Sequence, residues 1–370
     1  MKYIDEFRDG DLAEGLARKI ARIADSSRTY RFMEFCGGHT HAISRYGLLD
    51  LLPDNIRMIH GPGCPVCVLP VGRVDQAIRA ARIPGVILCA YGDCLRVPAS
   101  GGMTLLKARA EGADARMVYS ARDALALARA HPDREVVFFA IGFETTTPPT
   151  AAALVQAEAE GLNNFSVLCC HVLTAPAVTG ILEDADTVML DGLIGPAHVS
   201  TVIGAAAYEF IPARHKKPVV IAGFEPLDLL QAILMLVRQA NEGRAEVENE
   251  FSRAVSREGN RKAIALMDKV FAVRRDFEWR GLGTLPESAL CLAPAYARFD
   301  AEARFQIPYA RVLDHPACEC ASVLRGRKTP QECKVFGKAC VPENPLGACM
   351  VSGEGACAAQ YIYGRFRTSA

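Results

Sequence analysis

Several features that mark common protein functions are scarce or missing in this sequence. Its 42 lysine and arginine residues are balanced by 42 aspartate and glutamate residues, so it lacks the basic excess that nucleic-acid-binding proteins carry. No run approaches the roughly 20 apolar residues needed to cross a bilayer. The charged first ten residues also contain no apolar signal-peptide core. We therefore expect a cytoplasmic protein whose partners include neither nucleic acid nor a membrane.

Nucleotide-binding and radical-chemistry motifs are missing as well. The sequence has no G-x-x-x-x-G-K-S/T phosphate loop, no G-x-G-x-x-G fingerprint and no C-x3-C-x2-C run. These absences argue against an ordinary P-loop ATPase, a dinucleotide enzyme and a radical SAM enzyme.

Cysteine, by contrast, is abundant. Six of the 14 cysteines fall between Cys318 and Cys357. Because the cytoplasm keeps ordinary thiols reduced, metal, cluster or redox chemistry explains them better than structural disulfides. The segment lacks the paired C-x2-C of zinc sites, whereas iron-sulfur clusters accept irregular spacing on loops rich in Pro and Gly. A 4Fe-4S cluster is therefore favoured over a zinc site and over free buried thiols.

The pattern of apolar residues predicts the fold class. Short runs such as E-V-V-F-F-A-I-G alternate with segments of helical periodicity, which is typical of α/β proteins with parallel sheets, and 370 residues favour two or three domains. We predict one α/β domain over residues 30–134 and a similar one over residues 135–240, around a cleft. Residues 1–29 and 241–370 are predicted to form a small, partly helical, cysteine-rich domain that carries the cluster.

A weak internal repeat supports two similar sheets. F-M-E-F-C-G-G-H-T-H resembles F-F-A-I-G-F-E-T-T-T about a hundred residues later. The strand before His60 then matches the strand ending at His171, and M-V-Y-S-A-R-D-A-L-A-L-A matches V-I-A-G-F-E-P-L-D-L-L-Q-A. Loops at equivalent strand ends would face a shared cleft. Two unrelated α/β units would also produce a match of this strength.

The stretch H-G-P-G-C-P-V-C contains a C-x-x-C pair, Cys64 and Cys67, between a predicted strand and a predicted helix. A helix N-terminus lowers the pKa of a nearby thiol and favours reversible disulfide formation. The pair is therefore a redox candidate, and half of a zinc site is the alternative.

Cys36 stands alone at the end of a predicted strand, in C-G-G-H-T-H. A lone cysteine there is often a small buried apolar residue. Two following glycines, however, let the backbone approach a ligand closely, and His39 and His41 supply imidazoles. In G-F-E-T-T-T, Glu144 occupies an equivalent strand end, where the threonines alone would be read as a helix cap. Asp93 in Y-G-D is equally well a turn residue or a site residue.

Together these motifs closely resemble the HypD family of hydrogenase maturation factors. The resemblance covers essentially the whole chain and is carried by C-G-G-H-T-H, G-P-G-C-P-V-C, Y-G-D-x-x-R-V-P, G-F-E-T-T and C-M-V-S-x-E-G-A-C-A-A. It implies two α/β domains, a cluster-bearing domain and a 4Fe-4S cluster on cysteines spaced C-x14-C-x6-C-x16-C. That spacing is met by Cys318, Cys333, Cys340 and Cys357, with Cys320 and Cys349 as additional thiols.

The resemblance also implies a function. A HypD-like protein would be a scaffold on which iron carrying cyanide and carbon monoxide is assembled for [NiFe]-hydrogenases. A HypC-type chaperone would share the iron, a HypE-type partner would donate cyanide, and the hydrogenase large-subunit precursor would be an indirect partner. Cys36 would bind the iron, with His39 as a nearby ligand or proton donor. Glu144 is a further candidate catalytic residue, and the cluster would feed electrons to Cys64 and Cys67.

Such a protein would be an assembly scaffold with redox activity rather than a turnover enzyme. One alternative is a cluster-dependent disulfide reductase, which would use Cys64 and Cys67 and would not need Cys36. The other alternative is a zinc-stabilised interaction protein.

Overall fold

A computed structural model describes residues 4–364, which form an α/β protein. The strands are β1 (Tyr30–Glu34), β2 (Ile56–His60), β3 (Val86–Ala90), β4 (Ala115–Met117), β5 (Glu135–Gly142), β6 (Phe165–His171), β7 (Gly192–Gly195), β8 (Val219–Ile221), β9 (Val247–Asn249), β10 (Phe271–Trp279) and β11 (Gly283–Leu292). The helices are α1 (Gly10–Ile23), α2 (Gly37–Tyr46), α3 (Val71–Ala81), α4 (Leu105–Ala110), α5 (Ala121–Ala130), α6 (Thr147–Ala159), α7 (Thr174–Glu183), α8 (Ala197–Ile203), α9 (Pro226–Glu242), α10 (Arg261–Val270), α11 (Ala301–Arg304), α12 (Cys320–Leu324) and α13 (Ala356–Tyr363). None of these helices has the length and apolar character needed to cross a bilayer.

A five-stranded parallel sheet takes its strands from two distant parts of the chain. Its order is β2-β1-β7-β8-β9, so β1 pairs with β2 on one side and with β7 on the other. Helix α9 covers one face and packs against α1, whose buried side chains Ala13, Ala17 and Ile20 form one stripe. The hydroxyl of Tyr30 donates to Asn241 Oδ1 at 2.5 Å and fixes β1 to the end of α9.

A four-stranded parallel sheet is formed entirely within residues 86–171. Its order is β4-β3-β5-β6, and the side chains of β3 and β6 are buried along their whole length. Because both faces of such a sheet are covered by helices, its strands read as continuous apolar runs rather than as alternating ones. The prediction of α/β architecture with two parallel sheets is confirmed.

The strand matches proposed from the sequence correspond to equivalent positions in the two sheets. In one sheet β1 pairs with β2, placing Glu34 opposite His60. In the other β5 pairs with β6, placing Gly142 opposite His171. Strands β8 and β4, the third matched pair, lie two places beyond β1 and β5. Equivalent strands therefore lie in the same spatial order in the two sheets, although they follow one another in a different order along the chain.

The strand pairing runs across the predicted domain boundaries, which stay a prediction. A break between residues 134 and 135 falls between β4 and β5 of one sheet, and β1 pairs with β7 although some 160 residues separate them. Similar sequence shows which strands occupy equivalent positions, but hydrogen bonding decides which strands share a sheet. Here residues 86–171 are inserted between two halves of the five-stranded sheet. Helix α1 packs on α9 of that sheet.

The antiparallel hairpin β10–β11 and the cysteine-rich segment lie against the four-stranded sheet. The backbone N–H of Leu173, just beyond β6, donates to Ser288 O at 2.9 Å, and Trp279 Nε1 donates to Ser288 Oγ at 2.8 Å. The buried cysteines of the segment share one apolar core with β3, β5 and residues 64–69. The segment is therefore not set apart by a core of its own, and a separate small domain is not confirmed.

Candidate functional site

The carboxyl ends of both parallel sheets open onto one cleft of about 680 Å³, called here the central cleft. This position is where parallel α/β sheets usually bind ligands, because loops from several strands meet there. Its walls come from the loops after β1, β2, β3 and β5 and from the cysteine-rich segment. The lining residues are Gly38, His41, Pro65, Val66, Tyr91, Gly92, Asp93, Cys94, Ile141, Thr146, Ser352, Gly353 and Glu354.

The loop after β1, residues 35–38, is called the Cys36 loop. Cys36 is buried and extended, and α2 begins at the next residue. A Cβ atom on Gly37 would lie 2.4 Å from Glu354 Cβ, so glycine is required for the carboxylate of Glu354 to approach this loop. The first glycine of C-G-G-H-T-H thus allows the cysteine-rich segment to pack closely against the end of β1.

Glu34 is a fully buried carboxylate beneath this loop. It accepts a hydrogen bond from the backbone N–H of Cys36 at 2.8 Å and another from the hydroxyl of Thr40. His60 Nδ1 lies 3.0 Å from Oε1 of this carboxyl group, the oxygen that also accepts from Thr40, whereas the Cys36 N–H donates to Oε2. Hydrogen bonds to a buried charged acceptor are among the stronger ones in proteins, so Glu34 fixes the Cys36 loop to the end of β2.

The electrostatic surroundings of Cys36 disfavour a bare thiolate. Burial, helped by the carboxylates of Glu354 and Glu34, raises the pKa of the Cys36 thiol to about 12. The imidazole Nδ1 of His198 lies 3.9 Å from Cys36 Sγ, and burial lowers the pKa of His198. A thiol between two carboxylates and a neutral imidazole is suited to exchanging its proton for a metal cation.

The other two histidines of the region differ in accessibility. His39 is fully buried, and its Nε2 lies 3.0 Å from Ala222 O. Its Nδ1 has no hydrogen-bond partner among residues 4–364, and burial lowers the pKa of the ring. His41 lines the central cleft and has its Nδ1 3.4 Å from Gly353 O. The role of His39 as ligand or proton donor stays a prediction.

Cys64 and Cys67 form a disulfide in residues 61–68, called here the disulfide loop. This loop packs backbone against backbone on the Cys36 loop. The N–H of Gly37 donates to Gly63 O at 3.2 Å, and a Cβ atom on Gly63 would lie 2.3 Å from Cys36 N. The loop of the candidate metal thiol and the loop of the candidate redox pair are therefore in direct backbone contact.

Five of the six C-terminal cysteines line one small enclosed space: Cys318, Cys320, Cys333, Cys340 and Cys357. The sulfur atoms of Cys318 and Cys320 lie 3.3 Å apart. The hydrogen bond between these two thiols is the largest of the effects on Cys318 and lowers its pKa to about 7. The four cysteines that the family resemblance selects thus lie around the same space.

This arrangement suits a cluster better than a single metal ion. In a 4Fe-4S cluster each thiolate binds a different iron, so the ligands surround a volume instead of meeting at one point. A structural zinc ion needs four donors around one point, and no group of three or more His, Cys, Asp or Glu side chains in the described part of the chain is placed in that way. The donor set therefore fits a 4Fe-4S cluster.

The disulfide loop also touches the cysteine-rich segment. A Cβ atom on Gly355 would lie 2.9 Å from Cys67 Sγ and 2.3 Å from Cys349 O, and Gly355 is two residues before Cys357. The disulfide therefore lies between the Cys36 loop on one side and the cysteine-rich segment on the other.

Glu144 has a different position from the one expected. Its carboxylate accepts hydrogen bonds from the backbone N–H of Thr174 at 2.8 Å and from its hydroxyl at 2.7 Å, and burial raises the pKa of Glu144. It thus fixes the start of α7 and is not among the residues lining the central cleft. Its catalytic role stays a prediction, whereas Ile141 and Thr146 of the same loop do line the cleft.

Sequence reasoning missed Glu34, His198 and Glu354. His198 follows β7 in G-P-A-H, a strand end that resembles the G-P-G-C beyond β2, and this was a usable signal. Glu354 belongs to the C-M-V-S-x-E-G motif, but its contact with Gly37 depends on tertiary packing. Glu34 reads as an ordinary strand residue.

Comparison with known proteins gives consistent matches over the full length. The family model described as HypD, hydrogenase formation hypA family, matches residues 11–364. The hydrogenase maturation factor HypD of Azotobacter vinelandii is 65% identical over 99% of this chain and 98% of its own length. That of Cupriavidus necator is 62% identical over 99% and 98%, and that of Escherichia coli is 48% identical over 98% of both chains.

Proposed function

Because the chain belongs to the HypD family and therefore acts in hydrogenase maturation, we propose that it is the scaffold on which the iron unit of [NiFe]-hydrogenases is assembled. That unit is an iron ion carrying cyanide and carbon monoxide. One observation carries the proposal: the Cys36 loop, the disulfide loop and the cysteine-rich segment are in contact beside one cleft.

In this proposal Cys36 binds the iron. A soft thiolate suits a low-spin iron with strong-field ligands, and a single protein ligand leaves positions open for incoming groups. Glu34 and Glu354 make the site negative, so a cation that replaces the thiol proton is stabilised there. His198, whose Nδ1 lies 3.9 Å from Cys36 Sγ, and His39, three residues after Cys36, are the imidazoles proposed to act at this site.

The open cleft is where partners would deliver and share ligands. A HypC-type chaperone would bind the same iron through its own cysteine, and a HypE-type partner would present a thiocyanate. Breaking the sulfur–carbon bond of a thiocyanate takes up two electrons and yields a thiol and cyanide. The dithiol form of Cys64 and Cys67 supplies both electrons and two protons as it closes to the disulfide. One proton goes to the leaving sulfur and the other to solvent.

The disulfide must then be reopened by two electrons and two protons. Cys318, Cys333, Cys340 and Cys357 would hold a 4Fe-4S cluster, which would supply one-electron transfer there, with the electrons coming from an external low-potential electron carrier. The contact between Gly355 and Cys67 gives a short path for them. The hydrogenase large-subunit precursor would receive the finished iron unit from the chaperone.

A complementation experiment tests this function. A bacterial strain lacking its own HypD would receive the wild-type chain, Cys36→Ala or the matched control Cys291→Ala, which removes a half-exposed thiol on β11. We expect hydrogenase activity from wild type and from Cys291→Ala and none from Cys36→Ala. Full activity with Cys36→Ala would contradict the proposal.

A second candidate function is supported by the contact between the disulfide and the cysteine-rich segment. A cluster-dependent disulfide reductase would use Cys64 and Cys67 on a protein disulfide without Cys36. Purified Cys36→Ala would then still reduce disulfides catalytically when supplied with a one-electron donor. The iron scaffold predicts no such turnover.

A further inference from the structure

Phe224 is an aromatic side chain beside the Cys36 loop to which the proposed function gives no role. It lies in the turn between β8 and α9 and is half-buried. The centroid of its ring is 4.2 Å from that of the His198 ring and 5.2 Å from that of the His39 ring, at interplanar angles of 42° and 45°. One ring thus contacts both of the imidazoles that are proposed to act on the iron.

The second glycine of C-G-G-H-T-H makes room for this ring. A Cβ atom on Gly38 would lie 2.4 Å from Phe224 Cε1 and 2.8 Å from Phe224 Cδ1, and its three nearest neighbours all belong to the same ring. Carbon atoms pack best at separations of about 3.5–4.0 Å, so a side chain at position 38 would displace the ring. The two glycines therefore have different uses, because Gly37 admits Glu354 and Gly38 admits Phe224.

The turn that carries Phe224 has a fixed backbone. On one side of the ring, the backbone N–H of Gly223 donates to Glu250 Oε2 at 3.3 Å. On the other side, the backbone N–H of Glu225 donates to Asp228 Oδ2 at 3.3 Å. A residue can hold its neighbours in place only if it is itself held by the surrounding structure. Phe224 meets this condition.

The packing on Phe224 restricts the orientation of His198. The Nδ1 atom of His198 lies 3.9 Å from Cys36 Sγ. His198 is nevertheless exposed to solvent, and among residues 4–364 its imidazole makes no hydrogen bond besides this contact. An exposed side chain with so few partners samples several rotamers unless packing restricts it. The ring of Phe224 provides that packing, and it favours the orientation in which Nδ1 faces Cys36.

We propose that Phe224 is a positioning residue for iron binding, whose ring holds the imidazole of His198 beside the Cys36 thiol and packs on that of His39. This inference rests on the proposed function. When a divalent metal ion binds, a sulfur–metal bond replaces the S–H bond of Cys36, and the proton passes to solvent. An imidazole that is already held beside the thiol loses less rotational freedom when the metal arrives. Phe224 therefore acts through the histidines.

The test is an anaerobic titration of the purified full-length protein with cobalt(II), whose bond to a thiolate gives a strong absorbance. Difference spectra against the same protein without cobalt remove the absorbance of other centres, and Cys36→Ala identifies the signal that depends on this thiol. Changing a residue that supports metal ligands typically weakens metal binding about 10- to 100-fold. We expect Phe224→Ala to weaken the Cys36-dependent binding by about 10-fold or more, and Phe224→Tyr, which keeps the ring, to restore most of it.

Phe210 provides a matched control. It is also a half-buried phenylalanine, and its ring meets that of His215 edge-on with the centroids 6.4 Å apart. Phe210→Ala should lower the thermal unfolding temperature but leave the affinity for cobalt unchanged. A merely structural role for Phe224 would give Phe224→Ala and Phe210→Ala the same unchanged affinity.

Gly38→Ala tests the same contact from the opposite side, because its methyl group would displace the Phe224 ring. It should weaken cobalt binding, and the double variant with Phe224→Ala should bind no more weakly than Phe224→Ala alone, since both changes act through one ring. Additive losses in the double variant would overturn the inference.

Wild-type affinity in Phe224→Ala would also overturn the inference. If Phe224→Ala does not fold, wild-type affinity in Gly38→Ala would overturn it instead. A wild-type protein without any Cys36-dependent cobalt signal would contradict the proposed iron site and this inference together. A normal signal in wild type that neither substitution weakens would contradict this inference alone.

Discussion

Gly63→Ala tests whether contact between the Cys36 loop and the disulfide loop matters for function. The added Cβ would lie 2.3 Å from Cys36 N, 2.4 Å from Phe35 C and 2.6 Å from Cys36 Cα. These are backbone atoms, so no side-chain rotation relieves the overlap. Reaching an ordinary contact requires the loops to separate by about 1 Å, and overpacking of this kind typically costs about 1–3 kcal/mol of folding stability.

The functional effect should exceed the loss of stability. A misplacement of about 1 Å between reacting groups can reduce a rate roughly 100-fold. We therefore expect Gly63→Ala to remain folded and to keep its cluster absorbance, but to mature hydrogenase about two orders of magnitude more slowly than wild type. The assays are thermal unfolding, visible absorbance and the rate of hydrogenase activation in the complemented strain.

Gly353→Ala is the matched control, because Gly353 also lines the central cleft but a Cβ atom there would have no neighbour within 4 Å. It should behave as wild type in all three assays. Wild-type maturation by Gly63→Ala would refute the argument that the two loops act through direct contact. Equal impairment of both variants would assign the effect to the cleft in general.

Three further predictions concern the cysteines and the acidic residue beside them. Cys64→Ser should keep the cluster absorbance yet block maturation, and retained maturation would contradict a redox role for the pair. Because burial and two carboxylates raise the pKa of Cys36 to about 12, its thiolate fraction at pH 8 is about 1000-fold below that of a thiol with the ordinary pKa of 9.0. Alkylation of Cys36, followed by mass spectrometry, should therefore accelerate up to high pH. In Glu354→Gln the alkylation rate should begin to rise at a lower pH, because the carboxylate charge that raises the pKa of Cys36 has been removed. An unchanged pH profile would contradict this electrostatic account. Cys340→Ser should lose the cluster absorbance and Cys349→Ser should retain it, and the reverse result would reassign the ligands.

Much of the architecture was predictable because its signals are local. Continuous apolar runs such as E-V-V-F-F-A-I-G identify buried parallel strands without tertiary information, and the repeat matched β1 with β5 correctly as equivalent positions. The domain boundaries stay a prediction, because local patterns do not reveal which strands hydrogen-bond to each other. Strands β1 and β7 pair although another sheet is inserted between them in the chain, and the residues of neither strand reveal this pairing.

The residues of the candidate site likewise fall into two groups: those that a local sequence motif reveals and those that only tertiary packing reveals. Cys36, Cys64 and Cys67 were visible because Gly and Cys in short motifs are chemically unusual. Glu34 and His198 were not, since a carboxylate or an imidazole acquires its role only from what packs against it. The 3.9 Å approach of His198 to Cys36 joins the ends of two strands that are neighbours in the sheet and far apart in the chain.

The central claim, that Cys36 holds the iron on which cyanide and carbon monoxide are assembled, is tested most directly by infrared spectroscopy. The protein would be purified anaerobically with a HypC-type chaperone, as wild type, Cys36→Ala and the control Cys291→Ala. The account predicts stretching bands of iron-bound cyanide and carbon monoxide in wild type and in Cys291→Ala, and none in Cys36→Ala. Undiminished bands in Cys36→Ala would contradict it and place the iron on another ligand.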